Sequence, residues 1–464
     1  MRTVNDHNEP RLTMKRFFLP LLIAALSLGS AARAGVADTA VRQSIDGIDV
    51  VVLKTGVKDV VTLRGTLPAG DALSPDTDVA VATLTGGMLD KGTTQHDKFA
   101  IAKLLGDVGA NLSFSVTNNA LQVNGKCLTK DLPLVLSLLA EQLRSPAFSP
   151  EEFAKLKKQL AGRTKRALDD TDFRAEDSYT RAVYPIGHPN RDATPDEILA
   201  AAQKATLDEV KAFYAQYYGP VAMKLVIVGD VDAAVAQTEL TKVFTGWTGG
   251  VAAPRLAKAG YVDASRDQTV FMPEKTNVSV IWGQATQLRY SDPDTMPLRL
   301  GTAALGSGFT GRLMANVRDK EGLTYGIASY VADDTFTDGD WRIQANFAPA
   351  LLEKGIASTK RQLEGWYKDG ITDAELARVK GDFVGSYKVG LATTSGLAGA
   401  ILNTMNRELP LTFIDEFGAK VNAITTQQVN TAIKQHLDPT KMVLIKAGTV
   451  PGGELIQAKP ATAK

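Results

Sequence analysis

Apolar and polar positions follow two rhythms along this chain. Period-two runs, the mark of half-buried strands, occur within residues 113–123 and 327–331. Helix-like spacing begins after polar caps. Ser149 stands three residues before Glu152 and ahead of Phe153 and Leu156, and Thr372 stands three before Glu375 and ahead of Leu376 and Val379. Both patterns predict a helix start with a capping box, where hydroxyl and carboxylate satisfy orphan backbone N–H groups. A second echo pairs Thr206, Glu209 and Val210 with Thr425, Gln428 and Val429. A strand-like run follows each, at residues 223–230 and 442–448. The echoes recur about 220 residues apart, as a duplicated unit would.

Each half therefore reads as a strand-rich opening, a helix, strands, long helices, a further helix and a closing strand. Such interleaving predicts an α+β fold of two homologous domains, each an antiparallel-rich sheet with helices on one face, rather than a doubly wound parallel sheet. Residues 248–260 are small, rich in Gly, Ala and Pro, and aperiodic. The expected domains are residues 35–250 and 263–464, with 251–262 as linker.

The first 34 residues read as a leader. Met14, Lys15 and Arg16 form a basic start, residues 17–28 are apolar, and Ala32-Arg33-Ala34 offers a small-x-small cleavage site. The apolar run is short for a bilayer span, and no other stretch is apolar enough for one. Either Met1 or Met14 could start the chain. A formal net charge of +1 over 464 residues gives no electrostatic reason for nucleic acid or an anionic membrane as partner. The single cysteine, Cys127, lies in an alternating segment and reads as a buried, inert thiol.

Candidate chemistry is sparse. Gly306, Gly308 and Gly311 fit G-x-G-x-x-G, but the preceding residues 296–305 look helical, so a glycine turn between helices is expected rather than a nucleotide site. His96, His188 and His436 are too scattered for a zinc site, and His96 reads as a solvated loop residue. The acidic runs 169–172 and 333–340 read as solvated turns. In residues 311–325, GRLMANVRDKEGLTY, Leu313, Val317 and the stem of Lys320 predict one helical stripe, ended by Gly322. Arg318 falls in its last turn and Tyr325 opens a strand.

Two segments together resemble the pitrilysin/insulinase-type zinc metallopeptidases. Residues 83–93, TLTGGMLDKGT, are similar to that family's HxxEH helix and the M-L-x-K-G-T that follows it. The histidine positions hold Thr83 and Gly87, and the glutamate position holds Gly86. The third ligand position, counted along the chain, holds Arg163, whose charge would repel a metal. Residues 312–325 are similar to the second-half signature R-L-x-x-x-x-R-[ED]-x-x-G-L-x-Y, whose arginine and tyrosine match Arg318 and Tyr325. The turn at Gly306, Gly308 and Gly311 resembles the family's turn before that helix, at the substrate cleft.

The resemblance implies a non-catalytic subunit of the kind that pairs with a homologous HxxEH-bearing subunit, closing like a clamshell around an extended peptide. Arg318 and Tyr325 would then bind substrate and stabilise the oxyanion, zinc would belong to the partner, and this chain would carry no cofactor. The peptide would add at a sheet edge near residues 111–116. The alternatives are a structural or peptide-binding scaffold without a peptidase role, and a peptidase with an unusual metal site. The leader implies export, to the periplasm in a bacterium. Cleavage after Ala34 predicts a mature chain that begins at Gly35, read directly by N-terminal sequencing of exported protein.

Overall fold

The computed structural model describes residues 35–252, 258 and 265–453; the leader and most of the linker expected from sequence lie outside them. Eleven strands among these residues build two sheets. The first half supplies β1 (Val41–Ile45), β2 (Ile48–Lys54), β3 (Val60–Leu67), β4 (Asn111–Val116), β5 (Leu121–Leu128) and β6 (Lys224–Gly229). The second half supplies β7 (Arg266–Phe271), β8 (Val278–Ala285), β9 (Thr324–Ala332), β10 (Asp340–Phe347) and β11 (Val443–Gly448). Their orders are β1-β2-β6-β3-β5-β4 and β7-β11-β8-β10-β9. Apart from the extra β1, the two sheets share one plan. The closing strand lies between two early strands, parallel to one and antiparallel to the other. Each closing strand ends in a glycine at positive φ, Gly229 at 154° and Gly448 at 143°. A Cβ on them would lie 2.1 Å from the carbonyl oxygen of Val60 and 2.6 Å from that of Asn277, so only glycine fits.

The alternating run at 113–123 is a hairpin, β4 and β5, turning at residues 117–120. The expected helix starts are present. Thr372 and Glu375 form a complete capping box, as do Thr206 with Glu209 and Thr425 with Gln428. Ser149 forms only half of one. It accepts from the Glu152 N–H, while the Glu152 carboxylate is drawn to Lys98 and Lys155.

Helices cover both faces of each sheet, not one. In the first half, one face of β2 and β6 presents Val50, Val52, Leu225 and Ile227 to its own helices. The other face presents Val51, Leu53, Val226 and Val228 to Ala398, Ile401, Leu402 and Met405 of helix Thr394–Asn406, which belongs to the second half. The exchange is reciprocal. Helix Thr171–Val183 of the first half lays Ala175, Tyr179 and Val183 on Ile281, Ala285, Val443, Ile445 and Ala447 of the second sheet. The expectation of one-sided sheets fails because these strands are apolar at consecutive positions, and such strands need cover on both faces. Matching hydroxyl contacts mark the two crossings: Thr394 meets Thr62 of β3 at 2.9 Å, and Thr171 meets Ser279 of β8 at 2.7 Å.

The acidic run 333–340 is solvated only in part: Asp333 is exposed, but Asp334, Asp338 and Asp340 are buried. Asp334 pairs with Arg299 at 2.6 Å, while the crossing helix and the segment after it bring partners to Asp338 and Asp340. Arg342, whose side chain is 2% exposed, grips Asp340 through two hydrogen bonds of 2.6 Å. Its other donors reach Glu176 on helix Thr171–Val183, and its guanidinium lies 4.7 Å from the Tyr179 ring. Asp340 also accepts from the hydroxyls of Tyr179 (3.2 Å) and Tyr184 (2.8 Å). His188 stacks on Tyr184 and contacts Asp338 at 3.3 Å. A buried ion pair broken on one side leaves an uncompensated charge. Asp340→Asn is therefore expected to cost about 3–5 kcal/mol, and Tyr179→Phe, which removes one hydrogen bond, about 1 kcal/mol. Urea unfolding of the two variants measures both.

Candidate functional site

The helix that aligns with HxxEH is Val81–Met88. Its N-cap position, Ala80, supplies no capping side chain. The neighbouring turn takes over: Asp71 accepts from the Thr83 N–H at 3.0 Å, and Ser74 Oγ accepts from Ala82 N–H at 3.2 Å. Thr83 Oγ1 also donates to the Asp71 carboxylate, at 2.8 and 2.9 Å. Thr83 is thus engaged in holding the helix start. Burial pushes the Asp71 carboxyl up to about 6, against the opposing effect of the Thr83 hydrogen bonds.

Gly86 and Gly87 face crowded surroundings. A Cβ at Gly86 would lie 2.3 Å from Val116 Cγ2 of β4, a stiff β-branched side chain. A Cβ at Gly87 would lie 2.9 Å from Leu156 Cδ2. Leu156 belongs to helix Pro150–Ala167, which also carries Arg163. Gly86, Gly87, Leu156 and Arg163 line one cavity of about 430 Å³, and Thr83, Asp71 and Arg163 line a neighbouring one of about 350 Å³. The structure therefore brings all four altered positions together. A zinc ion does not fit them: there is no imidazole or carboxylate among them, one is a guanidinium, and the glycine sites are packed against Val116 and Leu156. Among the described residues, no group of three or more His, Cys, Asp or Glu side chains could hold a metal ion.

His96 is not a free loop residue. Its Nδ1 lies 3.0 Å from Glu141, whose buried carboxylate also accepts from Thr93. His436 contacts Asp294 at 2.9 Å. Cys127 is buried on β5 with its thiol pushed up to about 12 by burial, which makes it a poor nucleophile.

The second-half segment presents its candidate side chains to solvent. Helix Thr295–Gly306 ends against β9, where a Cβ on Gly306 would lie 2.5 Å from Ser329 N. Gly308 takes a φ of 62°, and Gly311 packs back on the Gly306–Ser307 backbone. The next element is a π-helix, Met314–Lys320, not the α-helical stripe expected. Leu313, Met314 and Val317 are buried, while Lys320 is exposed. Single π turns insert an extra residue per turn and re-aim side chains, often at functional sites. Gly322 at φ 64° ends the element, and β9 begins at Thr324. Arg312 anchors this region with two bonds of 2.6 and 2.8 Å to Glu375, whose carboxyl it holds down at about 2.

Tyr325 is 88% exposed, on the edge strand of its sheet. The Arg318 guanidinium carbon lies 5.1 Å from its ring centroid and 5.1 Å from that of Phe309. Phe309, on the glycine turn and 69% exposed, was missed in the sequence; a lone apolar residue amid glycines was the available signal. Among the described residues, the carboxylate that Arg318 approaches is that of its neighbour Asp319, at 3.9 Å. The two cavities at the altered metal positions include neither Arg318 nor Tyr325.

Fold and site together define a duplicated metallopeptidase-like chain with an exposed arginine–tyrosine pair and, among the described residues, no cluster of metal-ligating side chains. The chain belongs to peptidase family M16: residues 50–188 match the insulinase (peptidase family M16) domain, and residues 204–382 match the peptidase M16 inactive domain. Among curated sequences it is similar to the non-peptidase homolog YmxG of Helicobacter pylori, 22% identical over 80% of this chain and 84% of that one. It is also similar to an uncharacterized zinc protease of Streptomyces coelicolor, 24% identical over 75% and 76% of the two chains. Among solved structures, a peptidase M16 inactive domain from Pseudomonas fluorescens superposes with a TM-score of 0.81 at 24% identity, covering 88% of this chain and 98% of that one. The periplasmic protease PqqL of Escherichia coli gives 0.71 at 15% identity, over 94% of this chain and 49% of that one. At these identities the likeness establishes the fold.

Asp71 supplies a test of how the altered helix is held. Its folded value near 6 exceeds the ordinary 3.8, so the folded chain binds this proton more tightly than the unfolded one. The stability it contributes is full below the ordinary value and is lost as pH rises through about 6. Asp71→Asn keeps a partner for Thr83 and removes that loss. The variant is expected to be about 2 kcal/mol more stable than the parent near pH 7.5, allowing for partial exposure, with a smaller gain near pH 5, in urea titrations at the two pH values.

Proposed function

We propose that this chain is the non-catalytic, substrate-binding subunit of an exported heteromeric zinc metallopeptidase. It lends Arg318 and Tyr325 to the zinc site of a homologous HxxEH-bearing partner. The observation that carries this reading is the state of the pair. Both aromatic neighbours of Arg318 are exposed, so a cation and a phenol stand ready on an open surface. A fixed cation and an O–H donor aimed at a peptide carbonyl stabilise the negative charge that develops when water attacks it. Export rests on the sequence of the first 34 residues. No helix among the described residues is long and apolar enough to cross a membrane.

A second reading, a peptide-binding or scaffold protein with no peptidase role, is favoured by the likeness to a relative named as a non-peptidase homologue. Mixing the purified chain with an HxxEH-bearing homologue separates the two. Under the first reading, peptide cleavage rises on mixing, Arg318→Ala lowers kcat roughly 100-fold or more, and Tyr325→Phe lowers it less, with unfolding midpoints unchanged because both side chains lie at the surface. Zinc stays with the partner by metal analysis. Cleavage indifferent to this chain and to both substitutions leaves the scaffold reading.

A further inference from the structure

The cavity at the altered metal positions carries an unbalanced positive charge. Lys91, Lys158, Arg163 and Arg166 line it against one carboxylate, Asp90, and Lys91 already pairs with Asp90 at 2.8 Å. Lys158, Arg163 and Arg166 are exposed, and their charged groups make no hydrogen bond or ion pair among the described residues. They share one face of helix Pro150–Ala167, since positions 158, 162 and 166 step by four residues and 163 lies beside them. Gly162 sits in the middle of that face. A Cβ there would meet only Arg166 Nη1, at 3.6 Å. No packing neighbour requires a glycine that weakens a helix interior; what it does is keep the floor of the cavity low.

The remaining walls are Gly86, Gly87, Leu156 and Phe114. Phe114 lies on β4, the edge strand of the first sheet, which pairs only with β5. A peptide that adds to the open side of β4 would gain backbone hydrogen bonds without sequence preference, and its side chains or its end would pass the three unpaired cations.

We infer that this cavity binds a carboxylate of an extended peptide lying along β4, either an acidic side chain or the peptide's own C-terminus. Three clustered cations of like sign are complementary to an anion and repel a basic segment, so the site adds charge selection to strand addition. The inference rests on the reading that the chain receives extended peptides, and it adds which peptides.

Fluorescence anisotropy of the full chain with four short labelled peptides tests it. One carries internal glutamates and an amidated end, one is neutral with a free carboxylate, one is neutral and amidated, and one carries lysines. At low salt, the glutamate peptide, the free-carboxylate peptide or both bind at least about tenfold tighter than the neutral amidated one, and the preference shrinks as salt rises. Which of the two is preferred identifies the source of the carboxylate. The triple variant Lys158→Gln/Arg163→Gln/Arg166→Gln removes the preference. Gly162→Leu, which fills the floor without changing charge, weakens the same peptides. Equal binding of acidic and neutral peptides, or a preference that survives the triple variant, overturns the carboxylate site and leaves peptide reception standing. Absence of binding by all four overturns both.

Discussion

The central strands of this protein are apolar on both faces, and neither half of the chain can cover both faces of its own sheet. In β2 and β6, Val50, Val52, Leu225 and Ile227 go one way and Val51, Leu53, Val226 and Val228 the other. The second face is closed by a helix that the chain delivers only after four of the five strands of the other sheet. The same holds in reverse for β11. Hydrophobic burial is non-directional, so it could be satisfied by any apolar cover. The matched hydroxyl pairs Thr62–Thr394 and Thr171–Ser279, with the Asp340–Arg342 cluster under one crossing, make the cover specific. The two halves are thereby one folding commitment, and the described residues from Gly35 onward form one compact unit.

With both faces and the centre of each sheet committed, what remains for function is the rim. β4 and β9 are the far edges of their sheets and occupy equivalent places in the shared plan. The altered metal helix leans on β4 through Gly86 and Val116, and Tyr325 stands on β9. The contrast between these two edges follows from packing. At the first, side chains have closed in on positions where ligands would have to project. At the second, two exposed rings flank a guanidinium and nothing among the described residues covers them.

Much of this was legible in the sequence because it is local. The capping residues Thr206, Thr372 and Thr425, the closing strands and the buried Cys127 are each decided by neighbours a few positions away. What sequence could not give depends on partners far along the chain. Consecutive apolar residues such as Val50 to Leu53 say that two faces are buried but not by what. Asp338 and Asp340 look like solvated turn residues until His188, Tyr179 and Tyr184 arrive from 150 and more positions earlier. The half-formed box at Ser149 fails because Lys98 and Lys155 compete for Glu152. The π-helix at Met314–Lys320 was hidden because its buried set, Leu313, Met314 and Val317, fits an α-helix nearly as well.

The π-helix and Phe309 bear on whether an exposed arginine can serve as a clamp. A free arginine side chain carries roughly 2 kcal/mol of rotamer entropy, which any ordered contact must overcome. Here the guanidinium is stacked against two rings, each with its centroid 5.1 Å away. Stacking on ring faces leaves the N–H donors at the guanidinium edge available, whereas pairing with a carboxylate would consume them. Asp319, at 3.9 Å, is too distant to do so with a good hydrogen bond. The rings therefore restrict the cation before any ligand arrives without spending the donors that a carbonyl oxygen needs. Exposed aromatic residues are tolerated singly on a protein surface, but two of them within 5.1 Å of one guanidinium limit where that side chain can go. Under the proposed reading, a partner closing over this rim would meet a donor whose direction has already been set.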